Sequence, residues 1–244
     1  MKVIAHRGYS GRYPENTMLA FKKAAEAGAD EIEMDVQLTK DGTVVITHDE
    51  SLERVTGVKG WVRDFDFAEL RKLDASSVFR GEYGFNPIPS LEEYLVWVKD
   101  TAIVTNIELK NSDFYYEGLE EKTIALIQKQ GLEGRIIFSS FNHASLLKCK
   151  KLCPPIPCGV LVEQHVGGAG YYIKSSGLDF YHPAIRFLSG EVVEDCENHG
   201  VAINVWTVND MDGLLKAEAW GLRGIITNFP DVCKVWLSRK STGY

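Results

Sequence analysis

Apolar positions in this chain fall into short runs separated by longer amphipathic stretches. The runs KVIAH, EIEMDV, AIVTNIEL, RIIFSS, CGVLV, DFYHP, VAINVWTV and RGIITN predict eight strands. Helix signals lie between them. Asn16 or Thr17 caps a helix carrying Leu19, Phe21, Ala24 and Ala25 and closed by Gly28, and Ser90 with Glu93 forms a capping box ahead of Tyr94, Val96 and Trp97. Asn142 caps the helix of Leu146 and Leu147, and Asp212 or a neighbour starts the one that ends near Gly221.

Eight strands alternating with helices in 244 residues predict an α/β protein, a (β/α)8 TIM barrel forming one domain over 1–244. A doubly wound open sheet is the alternative, and HRGYSG after the first strand lacks the Gly-rich phosphate turn that would favour it. One segment breaks the alternation. Residues 49–89 hold Pro87, Pro89, several glycines and a single short helix candidate, Asp66 to Leu73, with Asp66 and Glu69 as capping pair. A connection of that length predicts a small subdomain inserted after the second strand and the extended piece TVVITHD, on the loop side of the barrel, where it covers the site mouth.

Acidic residues outnumber basic ones, 34 to 27, for a net charge of −7, which offers no footprint for nucleic acid or an anionic membrane. The start MKVIAHRG has no signal-type apolar run and no later stretch is long enough to span a bilayer, so a cytoplasmic protein without stable membrane association is expected. Five cysteines, an odd number, predict free thiols in a reducing compartment, and the prolines between Cys149, Cys153 and Cys158 argue against a metal cluster there. Oligomeric state stays open.

Candidate chemistry sits at strand ends. In EIEMDV, Glu33 and Asp35 share one face of the strand while Ile32, Met34 and Val36 take the other. Two adjacent carboxylates repel unless a cation or protons neutralise them. In NIELK, Glu108 and Lys110 repeat the arrangement. Oxygen ligands from Glu33, Asp35 and Glu108 suit one hard divalent cation, Mg2+ or Ca2+. Arg7 and Lys110 add positive charge suited to a phosphate, and His6 and His48 can supply an acid and a base near neutral pH. Together these groups describe phosphodiester cleavage.

The blocks AHRG, PENT, EMDVQLTKDGTVVITHDESLERVTG, IPSLEEYL, IELK, INVWTVN and ITNFP occur in this order over nearly the whole chain, and with them the sequence resembles the glycerophosphodiester phosphodiesterase family. The resemblance implies a barrel with a small insertion and hydrolysis of glycerophosphodiesters, a small-molecule substrate, to glycerol 3-phosphate and an alcohol. It also implies catalytic roles for His6 and His48, metal ligation by Glu33, Asp35 and Glu108, and phosphate contacts by Arg7 and Lys110. The family mechanism uses the glycerol hydroxyl beside the phosphate as internal nucleophile, and water then opens the cyclic phosphate. Which histidine is acid and which is base is left open, with His6 preferred as the acid.

Trp206 on the seventh strand is expected to stack on the glycerol, and His182 in FYHPA to face the substrate at a strand end. Glu15 either joins the site or caps its helix. His143, His165 and His199 are expected on the surface, and GGAG at 167–170 as a flexible loop. Two alternatives to hydrolysis remain: a relative that binds glycerophosphodiesters without cleaving them, and a phospholipase D-like lyase that releases the cyclic phosphate.

Overall fold

The computed structural model describes residues 1–79 and 81–241. Among these residues nine strands occur: β1 (Lys2–Ala5), β2 (Glu31–Leu38), β3 (Val44–Ile46), β4 (Val104–Leu109), β5 (Ile136–Ser140), β6 (Cys158–Val162), β7 (Phe180–Pro183), β8 (Ala202–Val205) and β9 (Gly224–Thr227). All but β3 run parallel and close on themselves, because β1 pairs with β9 along its whole length and with β2 at Ile4↔Glu31 and Ala5↔Ile32. The result is the eight-stranded parallel barrel that the alternating pattern predicts. β3 extends it as a short antiparallel strand on the outer half of β2, at Val36↔Ile46 through Leu38↔Val44.

The helices are α1 (Met18–Glu26), α2 (Glu53–Thr56), α3 (Phe67–Leu70), α4 (Leu91–Val98), α5 (Leu119–Gln130), α6 (His143–Leu152), α7 (Ala169–Ser175), α8 (Gly190–Asn198), α9 (Met211–Ala219) and α10 (Pro230–Ser241). Their ends follow local chemistry. Thr17 rather than Asn16 caps α1, its hydroxyl accepting from the Ala20 N–H, while Asn16 takes a left-handed φ of 55°. The Ser90–Glu93 box opens α4 and Asn142 caps α6. Asp210, two residues before Asp212, caps α9, and α3 is only the first turn of the predicted 66–73 helix.

The glycine-rich stretch at 167–170 is a correction to the sequence expectation. Gly168, at φ 69°, starts α7, and Gly170 packs on α8 so closely that a Cβ would lie 2.4 Å from the Asp195 carbonyl oxygen. Gly170 thus permits a helix contact, while Gly167 and Gly168 form the turn that leads into α7.

β2 shows how the barrel positions its chemistry. Its eight residues are all buried, with Ile32, Met34 and Val36 in the core under the helices, so Glu31, Glu33, Asp35 and Gln37 turn to the barrel interior. Residues 49–89 contribute α2, α3 and two 3-10 turns, and gather Leu52, Val62, Leu70, Ala75 and Ile88 around Val45 of β3 in a cluster apart from the main core. All five cysteines are buried and unpaired. Among the described residues, no helix is long and apolar enough to cross a membrane.

Candidate active site

The C-terminal ends of the strands surround a cleft of about 530 Å³, lined by His6, Arg7, Glu33, His48, Glu108 and Lys110 together with Trp206 and Phe141. His6 and Arg7 leave β1 in a turn where Arg7 takes φ 54° and Gly8 φ 77°. A left-handed conformation is costly for arginine. Two hydrogen bonds hold it: the Arg7 N–H donates to Glu33 Oε2 at 2.9 Å, and its carbonyl accepts from the Asn16 N–H at 3.0 Å. Gly8 is required because a Cβ there would meet Ala20 backbone at 2.8 Å.

Asp35 and Glu108 are direct partners across β2 and β4, and one carboxylate oxygen from each of Glu33, Asp35 and Glu108 lies within 4.8 Å of the others. Among the described residues this is the one cluster of metal-ligating groups, so Cys149, Cys153 and Cys158 form none. Asp35 Oδ2 accepts from Asn16 Nδ2 at 2.8 Å and faces Arg7 Nε at 3.5 Å, while its buried Oδ1 has no hydrogen-bond partner. A buried carboxylate oxygen without a donor is costly in water-free surroundings and suits a cation. These three residues could therefore hold a divalent metal.

Electrostatics separates the three acids. Burial, then Asp35 and Glu108, pushes the Glu33 carboxyl well above the usual range. Burial and Asp35 also raise Glu108, against the pull of Lys110, whose Nζ lies 3.3 Å away. Burial opposes ionisation of Asp35 as well, but Arg7, His48, Lys110 and the Asn16 amide outweigh it and hold its carboxyl low.

The histidines differ in their partners. His6 Nδ1 lies 2.7 Å from Asn228 Oδ1, an acceptor, which places the proton on Nδ1 and leaves Nε2 bare, 4.0 Å from Glu33. Burial, with Arg7 beside it, lowers His6 to about 4. His48 Nδ1 is 2.6 Å from the Asp49 carboxylate, and its Nε2 is 3.4 Å from Lys110 Nζ. Gln37 fixes this stretch from β2, its side-chain amide donating to the carbonyls of Thr47, His48 and Asp49 at 2.9–3.0 Å.

Sequence reasoning left several groups without a role. Asn228 orients His6 and Asp49 orients His48; the signals were ITNFP and the HD pair, which local pattern alone does not read as hydrogen-bond partners. Glu15 does not cap α1. It binds Arg7 Nη1 at 2.9 Å and both terminal nitrogens of Arg54 at 2.7–2.8 Å. Trp206 borders the cleft edge-on to Phe141, and because its indole N–H donates to the His182 carbonyl at 2.8 Å it presents only ring surface. His182 is a correction: it is fully buried inside the barrel and absent from the cleft wall. Its ring covers Gly159, where a Cβ would come within 2.6 Å, and its Nε2 accepts from Asn204. His165 is exposed, whereas His143 and His199 are half-buried.

The family model of the glycerophosphoryl diester phosphodiesterase family matches residues 6–232. A glycerophosphodiester phosphodiesterase of Bacillus altitudinis is 43% identical over 233 residues, covering 94% of this chain and 95% of the relative. One from Caldanaerobacter subterraneus subsp. tengcongensis is 42% identical over 232 residues, covering 94% of each chain. The solved structure of an Oleispira antarctica phosphodiesterase in complex with the product sn-glycerol-3-phosphate superposes with a TM-score of 0.87 at 32% identity, covering 98% of this chain and 97% of that one. A barrel whose strand ends bring these acids, cations and histidines into one cleft, matched over nearly its whole length by such relatives, belongs to the glycerophosphoryl diester phosphodiesterase family.

Proposed function

We propose that this chain hydrolyses glycerophosphodiesters to glycerol 3-phosphate and an alcohol, using one divalent cation, Mg2+ or Ca2+, and two histidines that move the protons. The observation that carries the reading is the convergence of Glu33, Asp35 and Glu108 within 4.8 Å in a cleft that also holds Arg7, Lys110, His6 and His48. The all-oxygen donor set fits a hard cation, which when bound supplies positive charge at the phosphoryl oxygens. Arg7 and Lys110, both held protonated against burial by the neighbouring acids, orient the phosphate. Trp206 and Phe141 give the glycerol an apolar wall.

The hydrogen-bond partners support the reverse of the sequence preference for the acid. His6, neutral with Nε2 bare, takes the proton of the glycerol hydroxyl as it attacks phosphorus. His48, its Nδ1 held by the Asp49 carboxylate, is assigned delivery of a proton to the departing alkoxide. In the second half, His48 takes a proton from water as the ring opens, and His6 returns its proton to the glycerol oxygen. The five unpaired thiols support a reducing compartment, the cytoplasm, and residues 49–89 read as an inserted unit of a single domain. Phosphorus NMR of the products tests the reaction. Glycerol 3-phosphate supports hydrolysis; a cyclic phosphate that persists supports the lyase, and unchanged diester supports a binding protein.

A further inference from the structure

Arg54 lies outside the cleft wall, on the four-residue helix α2, with 43% of its side chain exposed. An isolated exposed ion pair would contribute little. Arg54 instead uses its whole guanidinium. Nε and Nη2 reach Asp49 at 2.5 and 3.1 Å, and Nη1 and Nη2 reach Glu15 at 2.8 and 2.7 Å. Each carboxylate then touches a group of the site: Asp49 holds His48 Nδ1 at 2.6 Å and Glu15 holds Arg7 Nη1 at 2.9 Å. The chain of contacts His48–Asp49–Arg54–Glu15–Arg7 joins the strand-end loop after β3 to the turn after β1 through one planar fork.

The inserted segment sets where that fork sits. Leu52, one residue before α2, is fully buried in the small cluster of residues 49–89, the Val55 carbonyl accepts from Ser77 Oγ at 2.7 Å, and Gly57 closes the helix at φ 74°. Arg54 also balances charge. It opposes burial in keeping the Glu15 carboxyl ionised, so that Glu15 can serve Arg7.

We propose that Arg54 is a positioning residue that sets His48 through Asp49 and Arg7 through Glu15, so that the inserted segment tunes proton delivery and phosphate binding by placing one side chain. The proposal rests on the phosphodiesterase reading above. Losing the fork leaves Asp49 and Glu15 free to turn to solvent, and His48 then keeps its place in the sequence but loses its aim.

The test is a double-substitution cycle on the full-length chain with saturating Mg2+, assayed on glycerophosphocholine and on a nitrophenyl glycerophosphodiester. Arg54→Gln is expected to lower kcat for the choline ester by on the order of 10²-fold, as small misplacements of catalytic groups do. The nitrophenyl ester, whose leaving group needs no proton, is expected to lose far less. Asp49→Asn with Arg54→Gln should cost less kcat than the two single changes summed, because both reach His48 through the Arg54–Asp49 contact, while Arg54→Gln alone also releases Glu15 and should raise KM for both esters through Arg7. Arg54→Lys, which keeps the charge without the fork, should recover only part of the loss and decides the matter if the Gln variant does not fold. Equal losses of kcat on both esters, or fully additive losses in the cycle, overturn the positioning of His48, and a KM unchanged for both esters overturns the positioning of Arg7. A wild-type chain that releases no glycerol 3-phosphate overturns the phosphodiesterase reading instead, and the two failures are thus distinct.

Discussion

Binding of a divalent cation should displace a proton from Glu33. The oxygens of Glu33, Asp35 and Glu108 lie within 4.8 Å of one another, so at an effective dielectric of about 20 each ionised pair repels by at least about 3.5 kcal/mol, or about 10 kcal/mol for three pairs. Arg7 at 3.5 Å from Asp35 and Lys110 at 3.3 Å from Glu108 each return about 5 kcal/mol by the same arithmetic. Two cations against three carboxylates leave one negative charge in excess. Glu33, whose hydrogen-bond partner is the uncharged Arg7 N–H, is where a proton settles, in line with its raised carboxyl.

The sign follows from proton counting. Above the ordinary glutamate pKa and below the raised one, the metal-free folded chain holds a proton that the unfolded chain has lost. Its stability therefore falls as pH rises through that window. A cation offsets the fall by taking the proton's place. Calorimetric titration of the metal-free chain with Mg2+ or Ca2+, in mildly acidic buffers of different ionisation enthalpy, should report close to one proton released per cation. Glu33→Gln should abolish that release. At 100 times its Kd the cation should stabilise the fold by about 2.7 kcal/mol, a rise in Tm of about 5–11 °C for a chain of this size. Binding heats that are the same in every buffer would refute the charge count.

Three further outcomes follow from the geometry. His48→Ala should slow cleavage of alkyl diesters about 10²–10⁴-fold and of nitrophenyl diesters much less, whereas His6→Ala should slow both; steady-state kinetics on the two esters checks this. Gly8→Ala combines a φ of 77° with a Cβ 2.8 Å from Ala20 backbone, so it should destabilise by about 1–3 kcal/mol in denaturant unfolding and lower activity by displacing Arg7. Replacing the part of residues 49–89 that follows α2, which leaves Asp49 and Arg54 in place, with a differently sequenced segment should change relative rates among head groups, and equal slowing of all diesters would count against a role in selection.

Much of this was legible in the sequence because period-2 alternation acts locally. EIEMDV places Glu33 and Asp35 on one face whatever else the chain does, and in a closed parallel barrel that face is the interior. Cap chemistry is equally local, which is why Ser90 with Glu93 and Asn142 mark helix starts. Depth inside the barrel is not local. His182 and Trp206 both lie on barrel strands or at their ends, yet only Trp206 reaches the cleft, because Gly159 leaves room for the His182 ring to lie inside. Nor does sequence pattern reveal that Arg54, 39 residues from Glu15, closes a circuit with it. Loop charges carry no periodicity, and their partners are fixed only when residues 49–89 pack.

The most direct test of the account is release of glycerol 3-phosphate by the purified chain from several glycerophosphodiesters, measured with a coupled assay in Mg2+ or Ca2+ and again after exhaustive dialysis against EDTA. The account predicts turnover with the cation, loss of most of it with the chelator, recovery on adding the cation back, and little activity for Asp35→Asn under any condition. Full activity in excess chelator would contradict the metal role of Glu33, Asp35 and Glu108, and absence of glycerol 3-phosphate from every diester with the cation present would contradict the function itself.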